Sequence, residues 1–346
     1  MCRKYGTAAM FAFWLIVLIC PGGCSRAAEK ESRMGQQSMN DSLAGWPREV
    51  RKVEIVSSRD SAIQPALFWL PESGGQPAPL LVALHTWSGD YLQADGALWL
   101  EQARRRGWVF IHPDFRGPDD NPQATGSETA TADILDAVEF AKVQVAVDTQ
   151  RIYLAGLSGG GHMSLLTASR SPALWAGVSA WVPIADLARW HAECVERGNK
   201  YAADMEASCG GAPGASTAAD SQYALRSSLP SLGALAGVPV EICAGIHDGH
   251  TGSVPVGHTL RAFNALAAAN GKPEKMLTAE QIAWFEARES VPPELSTERE
   301  EDPAFGENKV LFRRSAGPAR VTIFEGGHEG LPEAACEWLA VQSKGR

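Results

Sequence analysis

The chain has 346 residues, of which 45% are hydrophobic and 21% are charged, and this is enough apolar sequence for one large folded domain. Forty acidic residues against 31 basic ones give a net charge of −9. Binding to nucleic acid requires basic surface, so this charge balance argues against a nucleic-acid partner.

The N-terminus has the pattern of an export signal. Arg3 and Lys4 precede an apolar run from Ala8 to Cys20. The run has the length of a signal peptide and is too short to span a membrane comfortably. We therefore expect residues 1–24 to direct export and the chain to reach the periplasm, the outer membrane or the medium.

Two cleavage sites stay open. Cys24 follows two glycines, which resembles the cleavage box of bacterial lipoproteins, although Pro21 stands where an aliphatic residue is usual. Lipidation of Cys24 would attach the protein to a membrane. The alternative is cleavage near Ala28 by ordinary signal peptidase.

The rest of the chain divides into a tether and a domain. Residues 25–46 are polar and lack periodicity, which is typical of a disordered tether. From residue 47 to 346, apolar runs of strand length alternate with segments of helical spacing. This alternation predicts an α/β fold with a mostly parallel, doubly wound sheet.

The predicted elements follow in chain order. An antiparallel pair opens the domain, and the buried run Pro79–His85 is the first core strand. The later elements are a helix near 92–106, the strand WVFIHPDF, the helix ATADILDAVEFAKVQVA, the strand Arg151–Ala155 and a helix from Gly159, then the strands ALWAGVSAWVPIA and VPVEICAGIHD, the helix VPVGHTLRAFNALAAAN, the strand ARVTIFEGG and the helix LPEAACEWLAVQ.

Two stretches interrupt the alternation. Residues 188–229 are small, polar and glycine-rich, and residues 272–315 carry a run of charges. Both would emerge near the edge of the sheet where sites are built, so we expect cap or lid insertions. Surface insertions without a role in the site are the alternative.

A serine lies between glycines at a predicted turn from strand to helix. The segment Gly156–Gly160 reads GLSGG, with Ser158 at its centre. This context is that of a nucleophile elbow, in which the serine is exposed on a tight turn and the following helix offers free N–H groups. The alternative is a phosphate-binding loop, which the lack of a Lys-Ser or Lys-Thr pair disfavours.

An acid and a histidine follow later strands in the order that this fold class uses. Asp248 stands at the end of VPVEICAGIHD, and His328 stands just after ARVTIFEGG. Both lie at the carboxyl edge of the predicted sheet, as does Ser158. The sequence therefore predicts Ser158 as nucleophile, His328 as base and Asp248 as its orienter.

Neither a metal nor a cofactor is expected. The HDGH segment around Asp248 offers His247 and His250 as metal ligands, but no third ligand is evident nearby. For the oxyanion we expect two backbone N–H donors, those of Gly159 and of Trp87, with Thr86 as the alternative to Trp87.

Four cysteines lie beyond the signal region. Cys194 and Cys209 share one irregular segment of a chain that is expected to be exported, so we predict a disulfide between them. A bond between Cys243 and Cys336 stays open. The alternative for Cys243 is a buried thiol on a strand.

The segments LLVALHTWSGD, HPDFRGP, RIYLAGLSGGGHMSLL, WVPIADLARW, HDGHTGSVPVGHTLRAF and FEGGHEG together resemble the catalytic domain of prolyl oligopeptidase-like serine hydrolases. The resemblance implies an α/β-hydrolase fold and the same three catalytic residues. It also implies that Arg116, in an arginine-glycine pair, helps to shape the site. His85 lies where the family usually carries an HGG oxyanion loop, and His85-Thr86-Trp87 replaces it, so we expect both His85 and Arg116 at the substrate.

The departures from the family concern the substrate. Peptidases that this chain resembles usually carry a large β-propeller, which restricts entry to short peptides. About 30 residues lie between the tether and the first core strand, and this is too few for a propeller. We therefore expect cleavage of esters, either of small molecules or of carbohydrates, with cleavage of short peptides as the alternative and a non-catalytic binding module as the third hypothesis. Trp87, with Trp181 or Trp190, would offer aromatic surface to a ring of the substrate, or all three are core residues.

Overall fold

The computed structural model describes residue 43, residues 45–72 and residues 75–345. The expected signal segment 1–24, Cys24 and nearly all of the expected tether lie outside the described residues. From Gly45 onward the chain forms one compact unit. None of the helices in the described part combines the length and the hydropathy needed to cross a membrane.

One mixed sheet organises this unit. Within the described residues it has nine strands in the order β1-β2-β4-β3-β5-β6-β7-β9-β8. The neighbours from β4 to β9 pair in parallel, while β1, β2 and β8 pair antiparallel at the two edges. The strands are β1 Arg51–Val56, β2 Ile63–Trp69, β3 Ala78–Leu84, β4 Val109–Pro113, β5 Val147–Leu157, β6 Gly177–Trp181, β7 Val240–Gly245, β8 Val310–Ala316 and β9 Ala319–Phe324.

Helices cover the sheet, and the α/β fold expected from the alternation is confirmed. Every residue of β3 is buried, as a strand covered on both faces requires. The helices are α1 Gly96–Arg106, α2 Glu128–Gln144, α3 Gly159–Arg170, α4 Leu187–Arg197, α5 Tyr201–Cys209, α6 Thr217–Arg226, α7 Gly257–Ala269, α8 Ala279–Arg288 and α9 Pro332–Ala340.

The first insertion is more regular than its composition indicates. It contains α4, α5 and α6, which pack on one another rather than forming an irregular loop. Asp186 caps α4 by accepting a hydrogen bond from the Arg189 N–H, and Gly198 ends the helix at φ 66°. These are ordinary start and stop signals, and a search for caps would have found them.

The second insertion is shorter than expected because it ends in a strand of the sheet. Residues 310–316, which we assigned largely to the insertion, form the edge strand β8 against β9. Arg313 and Arg314 interrupt the alternation of apolar residues by which this strand could have been predicted from the sequence. The structure neutralises both, with Asp302 at 2.9 Å from Arg313 and Glu298 at 2.6 Å from Arg314.

The folded unit also begins slightly earlier than expected. Trp46, assigned to the disordered tether, is buried, with its ring centroid 5.5 Å from that of His112. Its indole N–H donates to the Leu92 carbonyl at 3.1 Å. A Cβ at Gly96 would lie 2.7 Å from the Trp46 ring, so the helix and the ring fit closely.

Candidate active site

Ser158 lies on the sharp turn between β5 and α3. Its backbone has φ 59° and ψ −116°, a conformation that costs a non-glycine residue about 1–3 kcal/mol. The turn is held by the Ser158 N–H, which donates to the Trp181 carbonyl at 2.8 Å. Gly156 and Gly160 are needed here, because a Cβ at Gly156 would lie 2.9 Å from the Gly160 Cα and a Cβ at Gly160 would lie 2.9 Å from the Leu84 carbonyl carbon. The local geometry is that of a nucleophile elbow.

His328 joins Ser158 to Asp248. Its Nε2 lies 2.8 Å from the Ser158 Oγ, and its Nδ1 lies 2.8 Å from the Asp248 Oδ2. The Asp248 side chain is fully buried, whereas that of His328 is 22% exposed. The arrangement allows the Nδ1–H to donate to the carboxylate while Nε2 accepts from the serine hydroxyl.

The loops that carry these two residues fit closely together. The His247 N–H donates to the Gly326 carbonyl at 3.0 Å, so the end of β7 is tied to the turn before His328. The Val254 N–H donates to the Asp248 Oδ1 at 3.2 Å, which engages the oxygen that does not face His328. A Cβ at Gly252 would lie 2.5 Å from the His328 Cβ, so only glycine fits beside the histidine.

The expected oxyanion donors lie next to each other. A Cβ at Gly159 would collide with the Trp87 N and lie 2.6 Å from the Trp87 Cα. Within the described residues, neither the Gly159 N–H nor the Trp87 N–H donates to another backbone group. The Thr86 N–H donates to the Gln93 Oε1 at 2.9 Å, so the alternative donor is already engaged. Two free N–H groups beside a serine can stabilise a developing oxyanion.

The tryptophan rings do not form a substrate surface. Trp87, Trp181 and Trp190 are 3%, 0% and 1% exposed, so the alternative that they are core residues is correct. The Trp87 ring points into the first insertion, where its indole N–H donates to the Asp204 Oδ2 at 3.2 Å. The ring of an oxyanion-loop residue is thus buried while its backbone stays at the site.

His85 and Arg116 are not placed to bind a substrate, which corrects the expectation from the resemblance. His85 is 1% exposed, and its ring stacks on Phe115 with centroids 3.8 Å apart. The Arg116 guanidinium is held by two carboxylates, with Asp133 at 2.5 Å and Asp60 at 2.9 Å. Saturated donors of this kind stabilise the loop after β4 instead of contacting a ligand.

His247 lies between two carboxylates. Its two ring nitrogens lie 2.8 Å from Glu289 and 2.7 Å from Glu325, and these hydrogen bonds raise the pKa of the imidazole. No group of metal-ligating side chains suited to an ion occurs among the described residues. His247 joins the loop that carries Asp248, called the acid loop below, to the end of α8 and to the loop that carries His328.

Sequence reasoning missed one residue behind the oxyanion loop. The Asp119 N–H donates to the Trp87 carbonyl at 2.8 Å, and the Asp119 Oδ1 accepts from the Thr125 N–H at 2.5 Å. Burial raises the pKa of Asp119 to about 8, and its Oδ2 lacks a partner among the described residues. No motif marks this residue, because its role depends on burial.

The predicted disulfide is wrong. Cys194 and Cys209 are both free and buried, on α4 and α5 respectively. They pack with Trp87 and Trp190 in one apolar cluster, so each serves as a small hydrophobic residue. Burial raises the pKa of both thiols. Cys243 and Cys336 are also free.

A family model matches more than half of the chain. The model of the prolyl oligopeptidase family matches residues 99–282. A comparison with curated protein sequences gave no significant match.

The solved structures are distant relatives. Acylaminoacyl peptidase of Pyrococcus horikoshii is 15% identical with a TM-score of 0.55, and the alignment covers 84% of this chain and 40% of that one. A puromycin-hydrolyzing peptidase of Mycobacterium tuberculosis is 16% identical with a TM-score of 0.55, over 84% of this chain and 38% of that one. A thermostable esterase is 15% identical with a TM-score of 0.50, over 86% and 64%. The chain thus spans about two fifths of the length of either peptidase, and these likenesses support the α/β-hydrolase fold.

Proposed function

The chain belongs to the prolyl oligopeptidase family and is a serine hydrolase, and we propose that it is exported and cleaves esters through a covalent acyl-enzyme. The observation that carries the mechanism is the hydrogen-bonded chain from Ser158 through His328 to Asp248, with both links at 2.8 Å. This arrangement supplies a nucleophile, a base and a group that orients the base.

The first half-reaction forms the acyl-enzyme. The Ser158 Oγ attacks the ester carbonyl carbon while its proton passes to the His328 Nε2. Asp248 holds the imidazole by its Nδ1–H and stabilises the charged ring. When the carbonyl re-forms, the bond to the alcohol oxygen breaks and His328 returns the proton to that oxygen.

The oxyanion is stabilised by the backbone. The N–H groups of Gly159 and Trp87 donate to the negative oxygen, and the N-terminus of α3 adds a partial positive charge. Water then attacks the acyl-enzyme with His328 again as base. The acid is released and the Ser158 hydroxyl is restored.

The preference for esters rests on how little surface is available to hold a peptide in register. Hydrolysis of an amide requires protonation of the leaving nitrogen and precise positioning. In the described part of the chain, the first insertion turns its aromatic rings inward, with Trp190 only 1% exposed. The second candidate is a serine peptidase for short peptides, which membership of the family favours.

Matched substrates separate the two candidates. The measurement is kcat/KM for an ester and an anilide that carry the same acyl group. We expect a large preference for the ester, beyond its greater intrinsic reactivity. An anilide rate equal to the ester rate would refute the esterase and support the peptidase.

Export and lipid attachment are proposed from the sequence alone. The basic residues Arg3 and Lys4 and the apolar run 8–20 support a signal, and Cys24 is the proposed lipidation site. Mass spectrometry of the mature N-terminus in a bacterial host tests both points. A diacylated N-terminal Cys24 supports lipidation, a start near Ala28 supports ordinary cleavage, and an intact Met1 refutes export.

A further inference from the structure

Trp190, in the first insertion, contacts both the oxyanion loop that contains Trp87 and the loop that carries Asp248. Its ring meets the Trp87 ring edge-on, with centroids 4.8 Å apart and planes at 73°. On its other side it stacks on Tyr201, with centroids 5.2 Å apart. Trp190 thereby packs against the residue whose backbone N–H faces the oxyanion.

The indole N–H of Trp190 reaches the acid loop. It donates to the Ser253 carbonyl at 2.8 Å. The next N–H along the chain, that of Val254, donates to the Asp248 Oδ1 at 3.2 Å. The Ser253 carbonyl and the Val254 N–H belong to the same planar peptide unit, so fixing one end fixes the direction of the other.

A continuous chain of hydrogen bonds follows from these contacts. It runs from Trp190 to the peptide unit 253–254, then to Asp248, His328 and finally Ser158. Hydrogen bonds in series polarise one another in a buried environment, which strengthens the links further along. Trp190 and Asp248 are both nearly inaccessible to solvent, at 1% and 2% exposure.

We propose that Trp190 is a positioning residue, which aligns Asp248 through the peptide unit 253–254 and aligns the oxyanion loop through its contact with Trp87. The inference rests on the proposed acyl-enzyme mechanism and deepens it. It makes the first insertion part of the apparatus for catalysis rather than a cover over the substrate. Asp204, which accepts from the Trp87 indole, supports the oxyanion loop from the same insertion.

The first test compares Trp190→Phe with Trp175→Phe. Trp175 is also buried, lies just before β6 at the opposite edge of the sheet, and its indole N–H lacks a partner among the described residues. Both substitutions remove the same atoms from a buried site. The measured quantities are kcat, KM and Tm, with the active fraction counted by titration with a fluorophosphonate.

We expect Trp190→Phe to lower kcat per active site about tenfold with KM changed less than about twofold, because alignment of bound groups is lost rather than binding. Trp175→Phe should keep the wild-type kcat. Equal kcat values in the two variants would overturn the proposal, whatever the change in Tm.

The second test addresses the alignment of the oxyanion loop by the first insertion. Asp204→Ala removes the acceptor of the Trp87 indole N–H, whereas Asp204→Asn keeps an oxygen acceptor. We expect kcat to fall in the alanine variant and to recover in the asparagine variant. A fall of the same size in both variants would refute the role of the first insertion in aligning the oxyanion loop.

Failure of the inference differs from failure of the mechanism. If Ser158 is not the nucleophile, Ser158→Ala retains both activity and labelling. If only the role of Trp190 is wrong, Ser158→Ala is inactive while Trp190→Phe behaves as Trp175→Phe does.

Discussion

Replacing Asp119 by asparagine should make the protein progressively more stable than the wild type as the pH rises. Asp119 is fully buried behind the oxyanion loop, and burial raises the pKa of its carboxyl from 3.8 to about 8. The folded state therefore keeps a proton that the unfolded chain releases above about pH 4. Stability falls as the pH rises between these two values, because the unfolded state binds fewer protons.

The size of the effect follows from the two pKa values. Each pH unit between them costs the wild type about 1.4 kcal/mol, so from pH 5 to pH 7 the loss is roughly 3 kcal/mol. Asparagine imitates the protonated acid, because its oxygen still accepts from the Thr125 N–H and it has no proton to lose. Subtracting the two proteins cancels every other titrating group.

The assay is urea unfolding of both proteins at pH 5, 6 and 7, with the free energy of unfolding extrapolated to water. Asp120→Asn makes the same substitution at the exposed neighbouring position and serves as control. We expect the difference for Asp119→Asn to grow by roughly 3 kcal/mol and that for the control to change little. A difference that stays constant over this range would refute a neutral Asp119.

Three further predictions concern the site and its surroundings. Gly159→Ala should lower kcat about a hundredfold or more, because the added Cβ displaces the oxyanion loop. Gly233→Ala, where a Cβ meets nothing within 4 Å, should keep the wild-type kcat. Equal activities of the two variants would count against the assigned donors. The raised pKa of His247 makes its two glutamate contacts stabilising below about pH 6.5, and that gain is lost as the pH rises through the folded-state value. His247→Gln should therefore lower Tm more at about pH 6 than at about pH 8.5. Equal losses of Tm at the two pH values would be inconsistent with this charge. Cys194 and Cys209 should both be alkylated in denaturant without reductant, and a linked peptide pair would contradict the structure.

The sequence was sufficient for the fold and for the order of the three polar residues at the site. Strands in a parallel sheet end at one edge, so Ser158, Asp248 and His328 had to meet if each followed a strand. The glycines around Ser158 carried similar information, because only glycine fits where α3 approaches β3 and β5. Local pattern and overall topology agree at these positions.

Other expectations failed where the answer depends on which side chain is buried against which. The export pattern suggested a disulfide, yet Cys194 and Cys209 lie on separate helices within an apolar cluster. Arg116 was assigned to the substrate from the resemblance, but the carboxylates of Asp60 and Asp133 hold it elsewhere. Charge pairing and burial between distant segments are not visible in a linear sequence.

The first insertion illustrates the same limit in more detail. Its composition resembled a loop, although Asp186 and Gly198 carry the signals of a helix start and end. Even with its helices assigned, nothing in the sequence joins Trp190 to Ser253, 63 residues away. That link is a property of the tertiary structure.

The most direct test of the mechanism is the intact mass of the protein after reaction with a fluorophosphonate. The mechanism predicts that the wild type gains one phosphonyl group, mapped to the peptide that contains Ser158, and that Ser158→Ala gains none while keeping its Tm. Labelling of folded Ser158→Ala to the same extent, or a folded wild type that remains unlabelled, would contradict the assignment of Ser158 as nucleophile.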